Sequence, residues 1–302
     1  MHLNETTVLT SILQGLFTTY AERVKDVNKI TNALIDRKIV AGQEEIINDH
    51  IAFRTLGVPN LGIASFEKIF LTHGYRKMGS YHFDAKKLDA NWYGPPTEDL
   101  PRVFISELCV HELSENAQHI IKKYTSKIDV DPVDALDLHN AEEVIDYLHR
   151  PLWELPTLAD YNALLEESEY AAWVIYNRYY LNHYTISVHE LKKGLNTLDT
   201  FNDFLLDLGV ALNNSGGVIK VSADGLLRQS SSVAEQHIAT FAGGEKRSIA
   251  GSYVEFAERL PLPQYAHLPN HILTRAQRRE GFETQNADKI FESTFTSQLK
   301  QH

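Results

Sequence analysis

The sequence has a single cysteine, Cys109, and no long uninterrupted apolar segment in its 302 residues. One cysteine excludes an intramolecular disulfide and is typical of a reducing compartment. No stretch approaches the ~18 consecutive apolar residues of a membrane-spanning helix, and the start, MHLNETTVLT, lacks the apolar core of a signal peptide. We therefore expect a cytoplasmic protein with no membrane partner, in which Cys109 is a small buried strand residue and not a nucleophile.

Basic residues are also few. The sequence has 29 Lys and Arg against 40 Asp and Glu, which gives a net charge of −11. The field of such a protein repels nucleic-acid phosphates and anionic lipids, so neither is an expected partner. An anionic substrate would need a local cationic residue in its binding site. The sequence gives no indication of the oligomeric state.

A mixed order of strands and a helix is present near the start of the chain. Residues 50–56, HIAFRTL, alternate between polar and apolar as a strand does, and residues 63–73 have helical spacing. Three short strand-like segments follow, bounded by turn residues, at 75–83, 86–93 and 102–110. The predicted order is therefore βαβββ.

The same order returns in the second half of the chain. NHYTISV alternates as a strand, residues 198–208 form an amphipathic helix, and VIKVSADGLLRQSSS is predicted to be a hairpin that turns at Asp224-Gly225. A glycine-rich connection, AGGEKRSIAG, then leads to a last strand, SYVEFAER. We interpret the two halves as an internal repeat.

The remaining segments have helical patterns. We predict an α+β fold and a single catalytic domain over residues 1–302. Its parts are N-terminal helices (1–45), a first βαβββ unit (46–110), a helical insert (111–180), a second βαβββ unit (181–260) and a C-terminal tail (261–302). The tail is predicted to begin with a helix at HILTRAQRREGF.

Two βαβββ units in one chain resemble the vicinal oxygen chelate fold, in which each unit curls into a half-barrel and a metal lies in the cleft. The resemblance implies a histidine at the start of the first strand of each unit and a glutamate on the last strand of the second. His50, His183 and Glu255 fill these positions, and the alternation of each strand points them to one face. Two imidazoles and one carboxylate form the facial triad of non-haem iron(II) oxygenases, which leaves positions for substrate and oxygen.

Four further residues are candidates for the site. Arg54 lies ~13 Å beyond His50 along the strand, and its guanidinium suits a substrate carboxylate; the alternative is a structural ion pair with a carboxylate of the insert or tail. Gln229 and Ser231 share one face of LLRQSSS and would contact substrate, or form an ordinary polar strand face. Glu107 is the alternative fourth ligand, as in zinc or nickel glyoxalase-type sites.

The motifs around these residues are similar to those of the 2-oxoadipate dioxygenase/decarboxylase family. The similarity covers most of residues 45–295 and rests on DHIAFRT, RVFISEL, NHYTISV, DGLLRQSSSVA, GSYVEFAER and GFETQNADKIFEST. It implies an Fe(II) enzyme that converts 2-oxoadipate and dioxygen to 2-hydroxyglutarate and carbon dioxide, a step of lysine catabolism. It also implies iron ligands at His50, His183 and Glu255 and a substrate-carboxylate arginine at Arg54.

Two other functions remain open at this point. A glyoxalase-like zinc or nickel isomerase or lyase would use Glu107 as a fourth ligand and consume no oxygen. A non-catalytic small-molecule binding protein would keep the cleft of the fold but lack one of the three metal-binding residues. Since all three predicted ligands are present, the sequence favours an enzyme.

Overall fold

A computed structural model describes residues 7–300; residues 1–6, in the predicted N-terminal helical part, and residues 301–302, in the tail, lie outside the described residues. The strands are β1 (Asn48–Leu56), β2 (Arg76–Phe83), β3 (Leu88–Gly94), β4 (Arg102–Leu108), β5 (His183–Ser187), β6 (Lys220–Val221), β7 (Leu227–Ser231), β8 (Gln236–Thr240), β9 (Lys246–Ala250) and β10 (Tyr253–Arg259). The α-helices are α1 (Val8–Arg23), α2 (Lys25–Asp36), α3 (Ile63–Thr72), α4 (Glu115–Thr125), α5 (Ala141–His149), α6 (Leu158–Glu167), α7 (Glu169–Asn177), α8 (Leu198–Asp207), α9 (Thr284–Phe291) and α10 (Thr296–Leu299). None of these helices within residues 7–300 has the length and apolar character needed to cross a membrane.

Eight strands form one sheet in the order β2-β3-β4-β1-β5-β10-β7-β6. β1 and β5 pair antiparallel at its centre, β4 lies parallel to β1, and β10 lies parallel to β5. The two halves of this order are equivalent, since β1, β4, β3 and β2 correspond to β5, β10, β7 and β6. The predicted α+β fold with two βαβββ units is confirmed.

The apolar side chains of the central strands pack on helices at one face of the sheet, which we call the outer face. The ring of Phe53 on β1 lies 4.8 Å from that of Phe66 on α3, and the ring of Phe256 on β10 lies 5.3 Å from that of Phe201 on α8. Burial of a ring of this size stabilises the fold by about 1.5–3 kcal/mol. The alternating polar residues therefore point to the opposite, inner face.

β1 contains a bulge at the start of this polar face. Asn48 pairs with Ile186 and Ile51 pairs with Tyr184, so Asp49 and His50 together lie opposite the single residue Thr185. A bulge of this kind redirects side chains and is common beside active sites. Here it brings the side chains of two consecutive residues, Asp49 and His50, into contact with each other.

The C-terminal tail covers the inner face, and its first part differs from the prediction. Residues 270–272 and 275–277 form 3₁₀ turns, and the first α-helix of the tail begins at Thr284. The cause is tertiary pairing: the N–H of Leu262 donates to the carbonyl of Gln277, and the N–H of Arg279 donates to that of Leu260. These bonds use backbone groups that a helix would need.

Two other segments also differ from the sequence prediction. The glycine-rich connection contains β9, which pairs with β8 in a separate two-stranded sheet inserted between β7 and β10. Gly244, with φ +84°, supplies the turn. The last helix predicted in the insert is divided at Ser168, whose side chain accepts a hydrogen bond from the N–H of Ala171 and so begins α7.

Candidate metal centre

The first strand of each half begins near a buried histidine, and the two histidines meet at Glu255. His50 and Glu255 are each 1% exposed and His183 is 5% exposed. The Nε2 atoms of His183 and His50 lie 3.0 and 3.4 Å from Oε2 of Glu255, and one ligand atom from each residue lies within 4.8 Å of the others. The structure thus brings together the three residues that the sequence analysis named as ligands.

Each imidazole is oriented by the residue that precedes it. Nδ1 of His50 lies 2.8 Å from Oδ1 of Asp49, and Nδ1 of His183 lies 3.0 Å from Oδ1 of Asn182. Because both partners are acceptors, each ring donates from Nδ1 and turns its Nε2 toward Glu255, where that nitrogen could bind a metal. Sequence reasoning missed these acceptors, although a polar residue before histidine in both halves was the available signal.

Asp49 is itself held by arginines. Its carboxylate accepts two hydrogen bonds from Arg259, at 2.7 and 2.9 Å, and one from Arg102 at 3.2 Å. Glu280 of the tail pairs in turn with Arg102. Burial alone would raise the pKa of Asp49, but Arg259 and Arg102 outweigh it and hold that pKa well below its usual range. Asp49 therefore stays ionised opposite His50.

The carboxylate of Glu255 is also ionised. Burial raises its pKa, but the two histidines outweigh burial, and the net pKa lies far below the usual value. Nε2 of Gln229 donates to Oε1 of Glu255 at 2.6 Å, and Nδ2 of Asn286 donates to Oε1 of Gln229 at 3.0 Å. These amides fix one carboxylate oxygen and leave the other facing the imidazoles.

The histidines differ in their electrostatics. Burial lowers the pKa of His50, but Glu255 and Asp49 outweigh it, so the net pKa is raised. Burial is the main reason that the pKa of His183 is lowered. Asp49 contributes to this difference, because it is charged whereas Asn182 is neutral, and His50 and Arg54 further lower the pKa of His183.

This donor set fits a divalent cation. Two imidazole nitrogens and one carboxylate oxygen converge from three strands, each with its other polar atom held by a hydrogen bond. A ligand set of two histidines and one carboxylate is typical of non-haem iron(II) sites. The hydrogen bonds on the far side of each ligand would keep it in place for a metal.

A small cavity separates the three candidate ligands from the tail. Its volume is about 20 Å³, which is room for on the order of one water molecule. Besides the ligands and Gln229, it is lined by Phe104, Tyr253, Phe282, Ala287, Ile290 and Phe291. The walls are therefore mainly apolar.

Arg54 lies on the inner face beyond this cavity and is 1% exposed. Its guanidinium donates to Oγ1 of Thr294 and to the carbonyl of Phe291, each at 3.0 Å. Both partners are neutral, so within residues 7–300 Arg54 does not form the structural ion pair considered as an alternative. Its Nε atom and the hydroxyl of Tyr253 are both buried without a hydrogen bond of regular geometry, although the two side chains are near enough for each to shift the pKa of the other.

Tyr253 is a residue of the site that the sequence analysis did not assign. It lines the cavity, and its ring is stacked on that of His183 with centroids 4.8 Å apart. Its available signal was its position two residues before Glu255 on the same strand face. Burial raises the pKa of its hydroxyl, although nearby Arg54 opposes that shift, so the group is a neutral donor.

The remaining candidates have separate positions. Gln229 lines the cavity and bonds Glu255, whereas the hydroxyl of Ser231 pairs with that of Ser293 at 2.8 Å. Ser231 is absent from the described cavity lining.

The structure does not support Glu107 as a fourth ligand. Glu107 pairs with Thr55 and so points to the outer face, where its carboxylate accepts a hydrogen bond from the N–H of Ile63 at 2.6 Å. The true counterpart of Glu255 on β4 is Phe104, because each lies two residues after the partner of the unit's histidine, Tyr253 in one half and Arg102 in the other. The error was one of register, since the repeat did not show which β4 residue faces inward.

Comparisons with known proteins agree with the motif resemblance. Residues 12–268 match the family model described as 2-oxoadipate dioxygenase/decarboxylase. A chloroplastic 2-oxoadipate dioxygenase/decarboxylase of Arabidopsis thaliana is 43% identical over 300 residues, which are 96% of this chain and 78% of that protein.

Solved structures give the same family and fold. A hydroxyglutarate synthase from Oryza sativa, in complex with 2-oxoadipate, is 43% identical with a TM-score of 0.86, covering 96% of this chain and 92% of that one. A protein from Ralstonia eutropha described as a member of the glyoxalase superfamily is 22% identical with a TM-score of 0.69, covering 90% of this chain and 84% of that one. The second similarity concerns the fold alone.

Replacing Asp49 with Asn tests the role of the charge beside His50. An amide can still accept from Nδ1, but it leaves Arg259 and Arg102 without their buried anion. We expect metal affinity to fall roughly tenfold and the free energy of unfolding to drop by about 3 kcal/mol. Chelator competition and thermal denaturation measure the two effects, with Asp203→Asn on the exposed face of α8 as the control. Unchanged metal affinity would remove Asp49 from the metal centre.

Replacing Glu107 with Ala separates it from the ligands. The change removes the acceptor at the start of α3, at a cost of about 1 kcal/mol as for other helix caps. Metal bound at the group of His50, His183 and Glu255 should stay at the wild-type level, whereas Glu255→Ala should lose it. Metal analysis of the two purified variants decides the matter, and loss of metal from Glu107→Ala would restore the four-ligand alternative.

Proposed function

Because the chain belongs to the 2-oxoadipate dioxygenase/decarboxylase family, we propose that it converts 2-oxoadipate and dioxygen to 2-hydroxyglutarate and carbon dioxide, a step of lysine catabolism, with ferrous iron as the metal. The supporting observation is the buried group of His50, His183 and Glu255 beneath an apolar cavity. The atoms balance: C1 leaves as carbon dioxide, one oxygen atom of dioxygen enters the new carboxylate at C2, and the other becomes the hydroxyl on C3.

His50, His183 and Glu255 would hold the iron, which when bound would supply a site for the 2-oxo acid group and the activation of dioxygen. The protein's own task is to keep this site oriented. Asp49 and Asn182 hold the protons on the Nδ1 atoms, and Gln229 holds Oε1 of Glu255. Gln229 also lines the cavity, so we propose that its amide contacts substrate. The hydroxyl of Ser231 is hydrogen-bonded to that of Ser293 instead of facing the substrate.

We propose that Arg54 and Tyr253 bind the distal carboxylate of the substrate. Two buried polar groups, Nε of Arg54 and the hydroxyl of Tyr253, have no hydrogen bond of regular geometry, and an unsatisfied group of this kind costs about 1–3 kcal/mol. A carboxylate between them would accept hydrogen bonds from both and bring a charge opposite to that of the guanidinium. This local cation meets the requirement set by the net charge of −11.

Substrate binding requires movement of the tail. A cavity of about 20 Å³ has no room for a six-carbon diacid. Phe282 and α9 are the parts of the tail that close it, and the ring of Phe282 lies 4.8 Å from that of His50. Their return over the bound substrate would exclude water from the reacting groups.

The alternatives are less well supported. A glyoxalase-like isomerase with four protein ligands would need a donor where the structure has Phe104, and a binding protein without chemistry would not need a complete set of three ligands. The cytoplasmic location stays a prediction from the sequence.

Oxygen consumption tests the proposed function. The protein is prepared without metal under anaerobic conditions, loaded with ferrous iron, and supplied with 2-oxo diacids of increasing chain length. We expect 2-oxoadipate to give equal amounts of oxygen consumed, carbon dioxide released and 2-hydroxyglutarate formed. Turnover without oxygen in a zinc-loaded sample would instead support the isomerase.

Replacing Arg54 with Ala tests the carboxylate site. Loss of the buried guanidinium should lower kcat/KM for 2-oxoadipate roughly 100-fold, mainly through KM, as for other buried charged pairs. Iron content should not change, because Arg54 is not among the ligands. The control substrate is 2-oxohexanoate, which has the same length and no distal carboxylate. An equal loss with both substrates would show that Arg54 acts on the fold.

Replacing Tyr253 with Phe removes one proposed donor and keeps the ring stacked on His183. We expect KM for 2-oxoadipate to rise about fivefold, on the order of 1 kcal/mol for one hydrogen bond. Tyr147→Phe is the matched control, since its hydroxyl is also buried without a partner but lies on α5. Equal kinetics for Tyr253→Phe and wild type would leave Arg54 as the sole carboxylate ligand.

A further inference from the structure

A second group of potential ligands lies on the outer face of the sheet, where β2, β3 and β4 are neighbours. His82 on β2 pairs directly with Asp89 on β3, and Asp89 pairs with Glu107 on β4. Cys109 follows two residues after Glu107 and so points to the same face; its N–H donates to the carbonyl of Lys87. His82 on β2, Asp89 on β3 and Cys109 directly after β4 therefore lie on the face of the sheet opposite to the candidate metal centre.

The three side chains are close enough to bind one ion. One ligand atom from each lies within 4.8 Å of the other two, and Nδ1 of His82 is 2.7 Å from Oδ1 of Asp89. Nε2 of His82 lies 3.1 Å from Oδ1 of Asp84. His82 thus has one ring nitrogen inside the group and the other held by a carboxylate, as metal-binding histidines commonly do.

The surroundings are negative. Burial and the nearby carboxylates of Asp89, Glu112 and Glu107 raise the pKa of the Cys109 thiol to about 12. The side chains of His82 and Asp89 are 45% and 51% exposed, and Asp89 and Glu107 also line an open groove of about 870 Å³. A cation from solvent therefore has access to the group, and its charge would offset that of the carboxylates and favour the thiolate.

We propose that His82, Asp89 and Cys109 form a site for a thiophilic divalent cation of the zinc class. Zinc accepts sulfur, nitrogen and oxygen ligands at 2.0–2.3 Å in a tetrahedral arrangement, so three protein ligands leave one position for water. The thiolate selects against magnesium and calcium, which prefer oxygen. The inner group has no sulfur, so the two sites differ in the metals that they favour.

A cation bound at this site would stabilise the edge of the sheet. β2 is an outermost strand and most of its residues are exposed or partly exposed. An ion held by His82, Asp89 and Cys109 would connect β2 through β3 to the end of β4. Because it would bind the folded protein, it would stabilise it by mass action.

Cobalt(II) is the probe for this site. The full chain is freed of metal with a chelator and titrated with cobalt(II) under reducing, oxygen-free conditions. Because Cys109 is the only cysteine in the sequence, a thiolate-to-cobalt charge-transfer band in the near ultraviolet can arise only from it. We expect wild type to show this band, and zinc to abolish it by displacing cobalt.

Variants assign the ligands. Cys109→Ser should lose the band, and Asp89→Asn and His82→Gln, at half-exposed positions, should each bind cobalt at least tenfold more weakly by the same signal. His183→Ala, which disables the inner group, should keep the band, and His111→Gln, at an exposed position, should match wild type. The cobalt band requires no turnover, so this test is independent of the proposed function. Absence of the band in wild type at saturating cobalt, or its persistence with unchanged affinity in Asp89→Asn and His82→Gln, would overturn the proposal.

Discussion

The buried carboxylate of Glu255 governs the arrangement of the inner face. An ion removed from water costs several kcal/mol unless it is paired and hydrogen-bonded, and Glu255 is compensated by two imidazoles and the amide of Gln229. The compensation extends outward, because His50 is supported by Asp49, which is held by Arg259 and Arg102. Arg102 then pairs with Glu280 of the tail. Charges of alternating sign therefore join β1, β4, β10 and the tail, and the same contacts that hold the fold position the ligands.

The two halves share a scaffold but have diverged at equivalent positions. Each provides one histidine oriented by the residue before it, yet that residue is charged in the first half and neutral in the second. On the last strands, Glu255 of the second half corresponds to Phe104 of the first. Duplication has thus supplied a symmetric pair of imidazoles, while one carboxylate and one aromatic wall make the cavity asymmetric. An asymmetric cavity suits a substrate whose two ends differ.

Patterns of period two and 3.6 were sufficient to predict the repeat and the α+β class, because the central strands alternate apolar side chains, which pack on the helices, with polar side chains on the inner face. The resemblance to the vicinal oxygen chelate fold then indicated His50, His183 and Glu255 as candidate ligands on these strands. The repeat did not show which alternate residues of β4 point to the inner face, which is why Glu107 was considered as a ligand. The direction of these side chains depends on how β4 pairs with β1, and this register is set by tertiary contacts between distant segments.

Other features were hidden because they depend on partners distant in sequence. The 3₁₀ turns of the tail form where its backbone pairs with residues 260–262, and β9 exists because β8 pairs with it. The contact of Ser231 with Ser293 likewise joins a strand to the tail. A helical or polar pattern in the sequence alone does not predict these long-range contacts.

The bulge in β1 links the length of this strand to the identity of its inner face. Asp49 and His50 share the place opposite Thr185, so the strand holds one residue more than regular pairing with β5 allows. Only Asp49 and His50 lie between Asn48 and Ile51, so loss of one residue there would restore an ordinary ladder and remove either the orienting anion or the imidazole itself. Evolution of this segment is therefore constrained in residue number as well as in residue type.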